Sequence, residues 1–160
     1  MPLNKRSAQQ PTLRPLVGIA RLAVVLEVFL GLGALFGGGA LTLAPDGHLL
    51  GMPTTLLAGS PFSSFLVPGI ILFMFVGIAP LIAAAMTLRR QTFAPLAAVA
   101  VGLTLVGWVS VEMVVLAGIG SLAWALYLVL GACISLIGVA WLRSSREVAK
   151  PAPDLRDRSL

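Results

Sequence analysis

The side chains able to do chemistry in this sequence are few, and two of them stand in unusual places. Glu27 and Glu112 each lie inside a long apolar run. A charge at the centre of a membrane helix costs roughly 2.5 to 3.5 kcal/mol on insertion scales, so an acid at such a position needs an explanation. Either it carries a proton or a cation, or it is a neutral acid hydrogen-bonded across a helix interface. Both roles are open for Glu27, and the second requires less. Glu112 has Trp108 one turn before it and stands about six residues, roughly 9 Å, from the outer end of its span. A rim position within reach of water is expected, at a depth that argues against pairing with Glu27. Arg21 precedes Glu27 by six residues, about 240° around a helix, so an ion pair between them would have to be interhelical. Snorkelling of Arg21 to the interface is the simpler expectation.

Asp46, His48 and Ser60 could be imagined as a hydrolase or metal set. Two neighbouring loop residues and a capping serine supply neither an oxyanion hole nor enough ligands, and a surface hairpin around Pro45-Asp46-Gly47 is the simpler reading. One histidine and one cysteine, Cys133, leave no basis for a zinc site or a disulfide framework. No catalytic residue, metal or cofactor is expected.

The elements that must position the two acids follow from composition. Of 160 residues 58% are hydrophobic and 11% charged, with a mean hydropathy of +1.00, which points to a bilayer as the solvent. The net charge of +5 does not indicate nucleic acid, because the basic residues flank apolar runs rather than forming a patch. A span needs about 20 apolar residues, and four stretches qualify: 16–41, 62–88, 93–117 and 121–142. The expected fold is an all-α, four-transmembrane-helix bundle over 16–142, with a short outer hairpin between the first two spans, a polar basic tail at 1–15 and a disordered basic tail at 143–160. Gly118-Ile119-Gly120 is too short to do more than turn the third span into the fourth. A cleavable signal peptide in place of the first span is disfavoured by Glu27 and by the length of the run.

Orientation follows from the basic residues. Lys5, Arg6, Arg14 and Arg21 sit before or at the first span, Arg89 and Arg90 between the second and third, and Arg143, Arg146, Lys150, Arg156 and Arg158 after the fourth. The connections after spans one and three hold none. The positive-inside rule then places both termini in the cytoplasm of a bacterial inner membrane, with Trp124 and Tyr127 near the outer interface and Trp141 near the inner one.

Within the spans, small residues mark packing faces. Ala20, Ala23, Gly31, Ala34 and Gly38 share one face of the first helix with Glu27, so that face should meet another helix. Gly33 with Gly37, and Gly131 with Ser135, are further small-xxx-small pairs. Ser60-Pro61 reads as an N-cap followed by proline at the first helical position. Pro68 and Pro80 predict kinks, each freeing a carbonyl four residues earlier.

The stretch Ser60-Pro61-Phe62-Ser63-Ser64-Phe65-Leu66-Val67-Pro68-Gly69, with Pro45-Asp46-Gly47 and Gly51-Met52-Pro53 before it and Gly107-Trp108 and Glu112 after it, resembles a recurrent pattern in uncharacterised small bacterial four-span membrane proteins. The resemblance implies architecture and no activity. The functional expectation is a non-catalytic accessory or assembly subunit that packs against a membrane-protein partner or its own copies within the lipid bilayer. The alternative is a proton- or cation-coupled transporter working as an oligomer through Glu27. A dual-orientation antiparallel dimer is disfavoured by the one-sided basic residues, and a lipid or quinone enzyme by the lack of clustered acid, base and nucleophile.

Overall fold

The structure, a computed structural model, describes residues 10–116 and 122–148. Among them there is no strand, and four helices are long and apolar enough to cross a membrane: Val17–Leu43, Leu66–Leu88, Ala94–Val115 and Leu122–Ser145. The backbone helices run past the apolar limits at both ends of the chain, over Gln10–Leu43 and Leu122–Val148. Hydropathy marks where lipid begins, whereas helical hydrogen bonding continues through polar residues. Part of each expected tail is therefore helix. The Gly118-Ile119-Gly120 turn lies outside the described residues.

The helices pack as two hairpins, the first helix with the second and the third with the fourth. The hairpins meet through contacts of the first helix with the fourth and of the second with the third. Glycines set both seams. A Cβ on Gly38 would stand 2.6 Å from Phe73 N and 2.8 Å from Gly69 O, and one on Gly31 would stand 2.9 Å from Gly77 O. In the second hairpin a Cβ on Gly131 would lie 2.9 Å from Gly102 O, and one on Gly138 2.9 Å from Pro95 O. Without a hydrophobic driving force between helices in lipid, such backbone proximity is what dispersion needs to hold them together.

The second helix contains a π segment, Leu72–Ile78, in which the N–H of Ala79 reaches back to Met74 O. It explains how the seam closes. Gly31 and Gly38 are seven residues apart and face Gly77 and Gly69, which are eight apart. In an α-helix eight residues turn about 80° beyond two full turns, and seven fall only about 20° short. A π bulge absorbs one extra residue, which brings Gly69 and Gly77 back to one face. Pro80, just beyond, has no N–H to offer Val76 O, so the distortion sits where the α ladder is already broken.

The second helix starts at Leu66, with Phe65 as its N-cap, four residues later than the sequence suggests. Ser60 Oγ instead accepts the Phe62 N–H at 3.2 Å. Pro68 consequently falls in the first turn, where no α hydrogen bond is lost and no kink is needed. The connection between the first and second helices is not a strand hairpin. It forms two 3-10 turns, His48–Leu50 and Thr54–Leu57, and its ends are tied by Phe65 N–H to Pro45 O at 2.8 Å. Leu57 and Phe65 pack with Leu41 in a buried cluster, so the loop caps one end of the bundle. At the opposite end the turn after Leu88 has the hydrogen bonds of a Schellman motif, with Gln91 N–H to Met86 O and Arg90 N–H to Thr87 O. It places Arg90 in the left-handed region at φ 54.

Candidate functional site

Two places hold the sequence's unusual acids. The first lies in the interior of the bundle. On the first helix Ala23, Glu27, Gly31, Ala34 and Gly38 are buried, while Ala20 is partly exposed. Glu27 has no exposed surface, and both carboxyl oxygens lack a hydrogen-bond partner. Ala83 and Ala84 on the second helix and Ala94 and Ala98 on the third are each at most 2% exposed, so this half of the core is built from the smallest apolar side chains. The antiparallel register that sets Gly31 against Gly77 and Leu81 places Glu27 level with Ala83 and Ala84. A helical side chain leans toward its helix N-terminus, which directs the carboxyl toward the loop carrying Arg89 and Arg90. Thr87, whose hydroxyl is also buried and unpartnered, lies one turn in that direction. Arg21 is exposed.

The second place is at the loop-capped end. Glu112 stands three residues from the end of its helix at Val115, closer than the six read from sequence, because the helix ends there with Leu116 as its C-cap. Four residues separate it from Trp108, the spacing that stacks two side chains on one helical face. Trp108 Nε1 donates to Glu112 Oε1 at 2.6 Å. Oε2 accepts nothing from the described residues. Two cavities share these two residues. One, of about 100 Å³, lies under the loop and is lined by Leu41, Met52, Phe62, Phe65 and Val115 among others. The other, of about 180 Å³, extends toward mid-membrane past Leu105, Leu72 and Val76, with Phe29 and Tyr127 on its walls. Neither is lined by Glu27. The loop aromatics in the wall of the first cavity, Phe62 and Phe65, belong to the stretch that carries the resemblance, but nothing in that stretch marks a cavity.

The remaining candidates stand apart. Asp46 and His48 are exposed and bonded to each other, Oδ1 to Nδ1 at 2.7 Å, with the His48 N–H on the same oxygen. These hydrogen bonds hold the Asp46 carboxyl below its usual pKa. Ser60 is engaged with Phe62. Among the described residues no three His, Cys, Asp or Glu side chains form a group that could hold a metal ion. Gly131 is buried against the third helix, and the Ser135 hydroxyl is buried without a partner. Pro80 is buried at the end of the π segment, and Cys133 is exposed on the fourth helix.

Fold and sites together define a class: an all-helical chain with four helices able to span a bilayer, fitting a multi-pass membrane protein with one acid enclosed in its core and one at a cavity mouth. No family model matches the chain, and neither the curated proteins nor the solved structures contain a match.

Proposed function

We propose that this protein is a non-catalytic accessory or assembly subunit of a larger complex in a bacterial inner membrane, with both termini cytoplasmic. The observation that carries the reading is the enclosure of Glu27. A carrier acid must meet water on one side and then the other, and this acid meets neither in the packed bundle. The seams around it are closed by backbone contact at Gly31 and Gly38, which favours a fixed scaffold over a moving one. The face of the first helix turned away from the bundle presents Leu22, Val25, Phe29, Leu32 and Phe36, all exposed. Their alternating spacing of three and four is the register at which a second helix packs.

The test is affinity purification of the tagged chain in gentle detergent, with mass spectrometry of stoichiometric companions. A partner is expected, and its retention by Glu27→Gln should be nearly complete. Recovery of the chain alone would overturn the proposal. Orientation is checked in intact cells on a Cys133→Ala background. A cysteine at position 49 should react with a membrane-impermeant maleimide and one at position 91 should not.

One observation favours a second reading, an oligomeric proton- or cation-coupled transporter. An enclosed carboxyl with two unpartnered oxygens is costly, and function is one reason to retain it. This reading requires Glu27→Gln to abolish proton-coupled flux in reconstituted vesicles, whereas a scaffold shows no such flux in either form.

A further inference from the structure

We propose that the paired cavities at Trp108 and Glu112 form a binding site for a phospholipid with an ammonium headgroup, drawn from the leaflet on the loop side.

The carboxylate comes first. Glu112 is partly exposed, lines both cavities, and has one oxygen fixed by Trp108 at 2.6 Å while the other accepts nothing from the described residues. The fixed oxygen sets the plane of the group and directs the free one. An acid in apolar surroundings needs a cation or a proton donor, and the described residues place neither a lysine nor an arginine beside it. The sequence of 44–65 and of 116–121, between the first and second and the third and fourth helices, contains none. No lysine or arginine among the described residues answers this acid, which leaves it free to pair with a cation carried by a ligand.

The apolar walls select the form in which that charge arrives. On the loop side of Glu112 the cavity is walled by Met52, Phe62 and Phe65. On the other side the second cavity follows the third helix from Glu112 back to Leu105, seven residues or about 10 Å along the axis. A small hydrated cation has no use for such a channel. An amphiphile fits both parts, with its ammonium on the carboxylate three residues from the helix end, at headgroup depth, and its acyl chain lying along Leu105, Leu72 and Val76. The indole of Trp108 stands at the junction, a residue type suited to that boundary because its ring is apolar and its N–H polar. Aromatic faces beside the acid add cation–π attraction to the charge.

Trp108 also provides the readout. In full-length protein carrying Trp124→Phe and Trp141→Phe, Trp108 is the sole indole. The protein is reconstituted in phosphatidylglycerol vesicles containing graded amounts of a lipid brominated on its acyl chains. Brominated phosphatidylethanolamine should quench Trp108 at a mole fraction about tenfold lower than brominated phosphatidylglycerol, the preference expected of one charge-assisted hydrogen bond. Glu112→Gln should bring the two curves together while leaving quenching by both, because the apolar channel remains. Blocking the lipid amine by N-acetylation should remove the preference in the unmutated acid site, a comparison that does not rely on the variant folding. Equal quenching by the two headgroups with Glu112 present, a preference that survives Glu112→Gln, or one that survives acetylation would each overturn the proposal.

Discussion

Gly38→Ala should loosen the first hairpin, and Gly33→Ala, five residues away on the same helix, should not. The added Cβ at position 38 would meet Phe73 N at 2.6 Å, Gly69 O at 2.8 Å and Phe73 Cα at 2.9 Å. Two of these are backbone atoms that belong to the π segment and one to the turn before it, so no rotamer change relieves them. Reaching the 3.4 Å at which van der Waals contact becomes ordinary requires the helices to part by about 0.8 Å, a gap that forfeits a quarter to a half of each pair attraction along the seam. Overpacking of this kind costs about 1–3 kcal/mol. At Gly33 the new methyl would find nothing within 4 Å. Both substitutions gain the same helix preference of alanine over glycine, about 1 kcal/mol, so the difference between the two variants isolates the clash. SDS titration in mixed micelles, followed by tryptophan fluorescence, should place Gly38→Ala about 1–3 kcal/mol below Gly33→Ala. Coincident unfolding curves would show that the helices do not approach at Gly38 as the structure has them.

Deleting Phe75, an exposed residue within the π segment, should be tolerated, since it leaves seven-residue spacing between the two seam glycines and restores the α register. Deleting exposed Ile82 from the regular helix after it should not. The pair is compared by folded yield in detergent, and equal loss for both would refute the register argument. Glu27→Leu should raise stability in the same SDS assay by about 1–3 kcal/mol, because it removes a buried unpartnered acid. A loss would show that the carboxyl is bonded in the folded protein. For Asp46, whose folded pKa is depressed, any stabilisation is present above its ordinary pKa and fades as pH falls through the depressed value. NMR titration should find its midpoint below the usual value and moving upward in His48→Ala; an unmoved midpoint would remove His48 as the cause.

The four membrane helices were legible because their signal is long and redundant: predominantly apolar runs of 22 to 27 residues tolerate single exceptions, Glu27 included. The start of the second helix was not. Ser60-Pro61 has the chemistry of a cap, but Phe62 and Phe65 gain more by packing with the loop and Leu41 than by extending a helix into the region the loop occupies. Tertiary burial outweighed a local preference there. The π segment was equally silent, since an inserted residue leaves composition unchanged and shows only when the opposing glycines are known. The Trp108–Glu112 bond follows from four-residue spacing, whereas the cavities on either side of it depend on where the loop folds back. No periodicity encodes that.

The two acids show how position decides what a carboxyl can do. Glu27 is shut in by alanines and by glycine seams, so whatever compensates its burial must come from the bundle itself, by protonation or by a shift of the helices. Glu112 sits where the bundle is imperfectly filled, one oxygen held by an indole and the residue itself lining two cavities with apolar walls. The same loop packing that moves the helix start to Leu66 builds the roof of the first cavity from Phe62 and Phe65. Phe62→Leu should therefore weaken quenching by both lipids and leave the headgroup preference, which Glu112 sets, intact, whereas Phe65, 2% exposed, also holds the loop to Leu41. Truncating Leu30 or Val76 in the core would instead reduce the stability of the whole bundle, because those side chains belong to the buried cluster that joins the two hairpins.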